Sequence, residues 1–283
     1  MPVGGMIILD LNSEEGPVWN QYDSFFNHSW VWCSLITYGG RRGIYGDLNR
    51  LSLSPYVDLN ASASMHGIGF TPEATEMIPS QFDVAMEAGW RSEPIADPID
   101  WMQKWGVRRY GSLSPDLAEA QQILATAAYN SDIDTASLEE YPSIGDSMSH
   151  NTNATGILNA LQLYVSASGS YPSTGPSNYD VTDLSRQVLI NYFSDLHTML
   201  ASRFAKAGSI ASVNSIISAI NSLFVTLDSV CAADVNFLLG TWIADAASWG
   251  GGDSAWTDLL VFNARNQVTL WGPRGEINGR STF

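Results

Sequence analysis

Three short apolar runs, residues 6–9, 30–35 and 65–70, constrain the fold of this 283-residue chain more than any other feature of its sequence. Each run gives way to polar or glycine residues, and stretches of helical character (43–51 and 80–88) lie between them. Runs of this kind are expected of parallel strands buried on both faces within α/β units. A closed (β/α)8 barrel takes ~250 residues, yet strand-like texture stops by residue 111. Three parallel strands cannot close a barrel, and an open set leaves unpaired edges. The fold class expected is α/β plus all-α: the last strands of an incomplete TIM barrel, then a helical domain, predominantly helical overall. The open edge and exposed helix faces also predict poor solubility.

The helical part begins beyond Gly111. A helix is expected to open at Asp100-Trp101 and end near Arg108-Arg109-Tyr110-Gly111. Ser114-Pro115-Asp116 then reads as an N-cap, a first-turn proline and an early acid. Residues 131–155 are polar and turn-rich, as a loop would be. Another capped helix is expected from Thr182, with Leu184, Val188, Leu189, Phe193, Leu196 and Leu200 on its apolar side. Ile210, Val213, Ile217, Ile220, Phe224 and Leu227 form a third stripe, and 237–247 a fourth. The uncharged run 207–227 is long enough to raise the question of a membrane span. Ser and Asn interrupt it on one face, so an amphipathic core helix is expected and no membrane span. The domains expected are thus 1–111 and 112–283.

Composition narrows the partners. Thirteen basic residues against 29 acidic ones give a net charge of -16, which repels phosphate backbones and anionic headgroups. Nucleic-acid and membrane-surface roles are poor fits. Cys33 and Cys231 are the only cysteines, and buried thiols are expected rather than a disulfide. The four histidines lack metal-ligand spacing. Met1-Pro2-Val3-Gly4-Gly5 runs straight into the first apolar run, which is not the pattern of a signal peptide. Sequons stand at Asn27, Asn60 and Asn153, to be glycosylated only in a secreted chain.

The chemistry centres on Met65-His66-Gly67-Ile68-Gly69-Phe70-Thr71-Pro72-Glu73. Gly67 and Gly69 leave room for a close approach by backbone or ligand. Pro72 fixes its own φ and keeps Thr71 extended, so Glu73 leaves the strand in a set direction. A carboxylate at a strand end is how a barrel enzyme places a nucleophile or acid. The competing reading of such a Glu is a helix cap or surface acid. Glu76, three residues on, reads as a cap of the next helix. Trp30, Trp32, Trp90, Trp101 and Trp105 are expected in the core. Trp271, before Gly-Pro-Arg-Gly, could instead present its indole to a sugar face.

These residues resemble glycoside hydrolase family 89, the α-N-acetylglucosaminidases. The resemblance rests on Ile8-Leu9-Asp10-Leu11 with Pro17-Val18-Trp19, Trp32-Cys33-Ser34-Leu35, Tyr38-Gly39-Gly40 through Gly43-Ile44-Tyr45-Gly46, and Thr71-Pro72-Glu73. It continues through Gly89-Trp90-Arg91, Arg108-Arg109-Tyr110-Gly111, Tyr179-Asp180, Asp183-Leu184-Ser185-Arg186-Gln187, Phe237-Leu238-Leu239-Gly240 and Trp271-Gly272-Pro273. It implies hydrolysis with retention through two carboxyl groups, removing terminal α-linked N-acetylglucosamine without metal or organic cofactor. Glu73 matches the nucleophile. Leu11, Cys33, Leu35 and Tyr38 match strand-end residues of the sugar pocket, and Trp271 and Ile277 match residues lent by the helical domain.

The chain departs from the family pattern at Ile36-Thr37, where the family has His-Asn, and at Arg41, where it has Asn. The family's acid lies on an earlier strand that matches nothing here, so both ends are expected to be cut. The resemblance implies a secreted, lysosomal or vacuolar setting. A non-catalytic remnant or helical sugar-binding module, lacking the general acid, is the alternative. The oligomeric state stays open.

Overall fold

In the computed structural model, residues 2–36, 43–72, 78–131, 144, 153–171, 175–206 and 208–269 are described. Three parallel strands, β1 (Ile7–Asp10), β2 (Ser29–Ser34) and β4 (Met65–Phe70), form one sheet in the order β1-β2-β4. Register aligns Asp10 with Trp32 and Ser34 with Phe70, so the carboxyl ends of all three strands share one edge. Before β2 comes α1 (Asp23–Phe26), a left-handed helical turn. Between β2 and β4 run β3 (Gly46–Asp47) and α2 (Leu48–Ala61).

The helices that follow are α3 (Pro79–Ala88), α4 (Pro98–Tyr110) and α5 (Pro115–Ala127). A short β5 (Asn130–Ser131) pairs antiparallel with β3. Beyond it lie α6 (Ala154–Ser166), α7 (Gly175–Ala205), α8 (Ile210–Cys231), α9 (Leu239–Ser248) and α10 (Ser254–Thr269). The starts follow local capping chemistry. The Asp47 side chain accepts from Arg50 N, Asp97 from Ile99 N and Asp100 N, and Ser114 from Leu117 N. Each satisfies a backbone donor that the first turn leaves unpaired.

One large core spans strands and helices. Trp30 and Trp32 are fully buried, and their indole N–H groups donate to Ser62 Oγ at 3.0 Å and to Asp58 Oδ2 at 3.1 Å on or beside α2. Trp101 and Trp105 of α4 donate to Glu87 and Asp83 of α3 at 2.7 and 2.6 Å. Large apolar rings bury much area, and a hydroxyl or carboxylate at each rim removes the penalty for the N–H. The expectation fails for Trp90, which is 92% exposed at the end of α3.

Several boundaries differ from the sequence reading. The helix expected over 43–51 starts at Leu48 and runs on through Pro55, since Gly46 and Asp47 pair with β5 instead. Thr182 caps nothing: α7 begins at Gly175, and Thr182 is a buried mid-helix residue. The expected loop 131–155 ends in the first turn of α6, which packs between α5 and α7.

The largest difference is in α8. It lies against α7 through Ile216 and Leu223, with Ile220 alongside, packed on Phe193 and Leu196. Ile217, expected in the stripe, is 41% exposed, and Phe224 lies at the margin of the contact, its ring 5.7 Å from that of Phe193. Apolar residues occupy both faces of this helix, and α7 covers only one. Among the described residues α8 is the one helix long and apolar enough to cross a membrane.

Candidate active site

The shared carboxyl edge of the sheet is built from consecutive hydrogen bonds. Ser13 N donates to Cys33 O at 2.9 Å, joining the β1 exit to β2. Thr71 N donates to Ser34 O at 2.9 Å, and Thr71 Oγ1 reaches Leu11 O at 2.9 Å, so one threonine at the end of β4 ties all three strand ends together. Asp10, buried at the end of β1, accepts from Val18 N and Trp19 N at 3.0 and 3.1 Å. Both bonds go to Oδ2, so that carboxylate holds the loop beyond the strand.

Strand alternation sorts the side chains. Trp30 and Trp32 point into the helices, so Val31, Cys33 and Leu35 point the other way, opposite Gly67 and Gly69 in register. A Cβ at Gly69 would lie 3.0 Å from Cys33 Sγ and 3.2 Å from Val31 Cγ1, whereas nothing lies within 4 Å of one at Gly67. The room expected at both glycines is therefore open at Gly67 and filled by the thiol at Gly69. Cys33 is free and buried. Burial first, then the charges of Asp10 and Glu14, push its thiol up to about 11, so it is a neutral apolar contact and not a nucleophile.

Of the sequence-derived site residues, the structure brings Leu11, Cys33 and Leu35 to this one edge. Leu11 is 49% exposed on the β1 side, Cys33 is buried, and Leu35 is half-buried. Glu73, Tyr38, Trp271 and Ile277 lie outside the described residues, as do Glu76 and Arg41.

Glu14 and Glu15 follow a strand end in the sequence and do not match the family's acid, and the structure gives Glu14 a place at this edge. Glu14 is only 8% exposed, its Oε1 accepts from Ser34 Oγ at 3.0 Å and from Leu35 N at 2.6 Å, and burial above all pushes its carboxyl up to about 7. No spacing distinguishes it from the adjacent, exposed Glu15.

The helices support this edge from behind. Ile44 N donates to Gln187 Oε1 of α7 at 2.7 Å. Arg109 of α4 makes a two-pronged ion pair with Asp180 of α7, at 2.5 and 2.7 Å, and the Tyr110 hydroxyl joins the same carboxylate. Tyr110 also meets Tyr164 of α6, which accepts from Gln121 of α5. Four helices thus converge on one buried polar network, in which Gln121 Oε1 has no hydrogen-bond partner among the described residues.

Parallel strands ending at a common edge, backed by helices that continue into a helical array, define part of a (β/α) barrel joined to an all-α domain. The comparisons with known proteins agree. Residues 1–92 match the family model for the alpha-N-acetylglucosaminidase (NAGLU) TIM-barrel domain, and residues 101–280 match that for the NAGLU C-terminal domain. The chain belongs to the α-N-acetylglucosaminidase family. It is 29% identical to human alpha-N-acetylglucosaminidase, covering 98% of this chain and 38% of the relative. A family 89 glycoside hydrolase from Clostridium perfringens, solved in complex with 2-acetamido-1,2-dideoxynojirmycin, superposes with a TM-score of 0.90 at 25% identity. That match covers 99% of this chain and 33% of the other. A form of the Clostridium perfringens enzyme with two Glu-to-Gln substitutions, in complex with its substrate GlcNAc-α-1,4-galactose, gives 0.89 at 25% identity, over 98% of this chain and 32% of the other. The chain spans about a third of the length of these relatives.

Proposed function

We propose that this chain forms one wall of the sugar pocket of a retaining, exo-acting α-N-acetylglucosaminidase and carries its nucleophile, Glu73. The observation that carries the reading is the knitted strand edge. Thr71, two residues before Glu73, is anchored to Leu11 O and Ser34 O, which places the start of the Thr-Pro-Glu segment beside Leu11, Cys33 and Leu35. Leu11, Cys33, Leu35 and Tyr38 line the pocket from the barrel, and Trp271 and Ile277 from the helical domain, divided at Gly111, whose φ of 83° ends α4. The substrate is a glycan ending in α-linked N-acetylglucosamine, met in a secreted, lysosomal or vacuolar setting.

Retention needs two carboxyl groups ~5–5.5 Å apart, one ionised to attack the anomeric carbon and one protonated to release the leaving oxygen. Glu73 attacks, forming a glycosyl ester. A carboxylic acid from a preceding barrel strand of the full enzyme protonates the aglycone, then as a carboxylate draws a proton from the water that hydrolyses the ester.

The test is an assay of the purified chain on an aryl α-N-acetylglucosaminide, alone and fused behind the preceding barrel segment of a family relative. We expect no turnover alone, turnover in the fusion, and its loss by at least ~10³-fold in Glu73→Gln. Turnover by the chain alone, or an active Glu73→Gln fusion, would overturn the assignment.

A further inference from the structure

We propose that Glu14 is a positioning residue for this pocket: from the loop after β1, its carboxyl fixes the end of β2 and with it the pocket side chains Cys33 and Leu35. The proposal rests on the reading of that edge as a sugar pocket. Leu35 N and Ser34 Oγ both donate to the same oxygen, at 2.6 and 3.0 Å, while Ser13 N, one residue earlier, holds Cys33 O. Three consecutive residues of the strand end are therefore held by two consecutive residues of one loop.

Side alternation separates this role from a catalytic one. Ser34 lies on the same face of β2 as Trp30 and Trp32, toward the helices, so its partner Glu14 sits behind the strand rather than over the pocket. Oε2 of Glu14 is buried with no hydrogen-bond partner among the described residues, beside a cleft lined by Ile36, Tyr45, Gly46 and Leu51. The charged and titratable groups around it are Glu15 from its own loop, Cys33 from β2, and Tyr45, Asp47 and Arg50 lining the cleft. Asp47 and Arg50 are paired at 3.7 Å. Among the described residues no cation pairs with Glu14, and burial favours its protonated form, with a value of about 7. In acidic medium the side chain is a neutral acid, which a glutamine amide reproduces in shape and acceptor oxygen.

The test uses the active fusion described above, with Glu14→Gln, Glu14→Ala and Ser34→Ala variants at pH 5. Two quantities are read: KM and kcat on an aryl α-N-acetylglucosaminide, and the alkylation rate of Cys33 by iodoacetamide, followed by peptide mass spectrometry. We expect Glu14→Ala to raise KM about tenfold with a smaller change in kcat, and to speed Cys33 alkylation about tenfold. Glu14→Gln should give wild-type values for both, and Ser34→Ala, which removes one of the two bonds, changes of about threefold in each. Where Glu14→Ala fails to fold, Glu14→Gln and Ser34→Ala decide. Unchanged KM and alkylation in Glu14→Ala or in Ser34→Ala, or a glutamine as damaging as alanine, would overturn the proposal. A faster Cys33 reaction in a protein that hydrolyses nothing would uphold Glu14 as the anchor of β2 and overturn the hydrolase reading.

Discussion

Glu14 also links the pocket edge to pH. Its folded-state value of about 7 lies above the ordinary 4.5, because burial penalises the anion. Folding therefore takes up a proton in that interval. The stabilisation is complete below about pH 4.5 and is lost as pH rises through about 7. At about 1.4 kcal/mol per unit, the swing is on the order of 3 kcal/mol. Melting temperature measured from pH 4 to 8 should fall for the wild type and run flatter for Glu14→Gln; parallel curves would show that Glu14 does not set the slope. At this scale the sequence was only partly legible. Cys33 was readable as a buried thiol from its aromatic surroundings. Glu14 was not, because what distinguishes it from Glu15 is a contact with a strand twenty residues away. Trp90 misled for the same reason, since composition cannot tell a core indole from one left outside.

The elements show where local rules were overridden. In α1 the residues from Asp23 to Asn27 hold φ between 48° and 63°, a left-handed turn without a single glycine. Such a conformation costs roughly 1–2 kcal/mol per residue. Phe25, buried edge-on against Trp30, offsets part of that cost. Phe26 is exposed and offsets little, so Phe26→Gly should raise stability by about 1 kcal/mol in urea melts; a loss of that size would mean its ring supports the fold. Nothing in the sequence of this turn announces it, since glycine is the usual signal. In α8 the difficulty was a helix with two apolar faces, and only the packing of α7 selects between them. Leu223→Ala should cost about 2–4 kcal/mol, whereas Val225→Ala, two residues on and 70% exposed, should stay within about 0.5. Equal costs would place the covered face elsewhere. The strands were the best predicted elements, because short apolar runs bounded by turn residues have few other solutions, although β1 leaves Ile7 and Leu9 exposed.

Over the whole molecule, the three-stranded sheet is an arc of a barrel. Ile7 and Leu9 on β1 are exposed, and β2 is β1's one neighbour among the described residues. Counting strands against the length a barrel needs exposed this incompleteness, while the family resemblance supplied the identity of the larger architecture. The polar network of Arg109, Asp180, Tyr110, Tyr164 and Gln121, which ties α4 to α7, was outside its reach, since its members lie up to 71 residues apart. The central claim is that Glu73 attacks the sugar. Its most direct test is to treat the catalytically competent protein with a 5-fluoro α-N-acetylglucosaminyl fluoride and map the trapped ester by peptide mass spectrometry. The account predicts one added sugar on the peptide containing Thr71-Pro72-Glu73, lost in Glu73→Gln. An adduct on another carboxylate, or active protein that is never labelled, would contradict it.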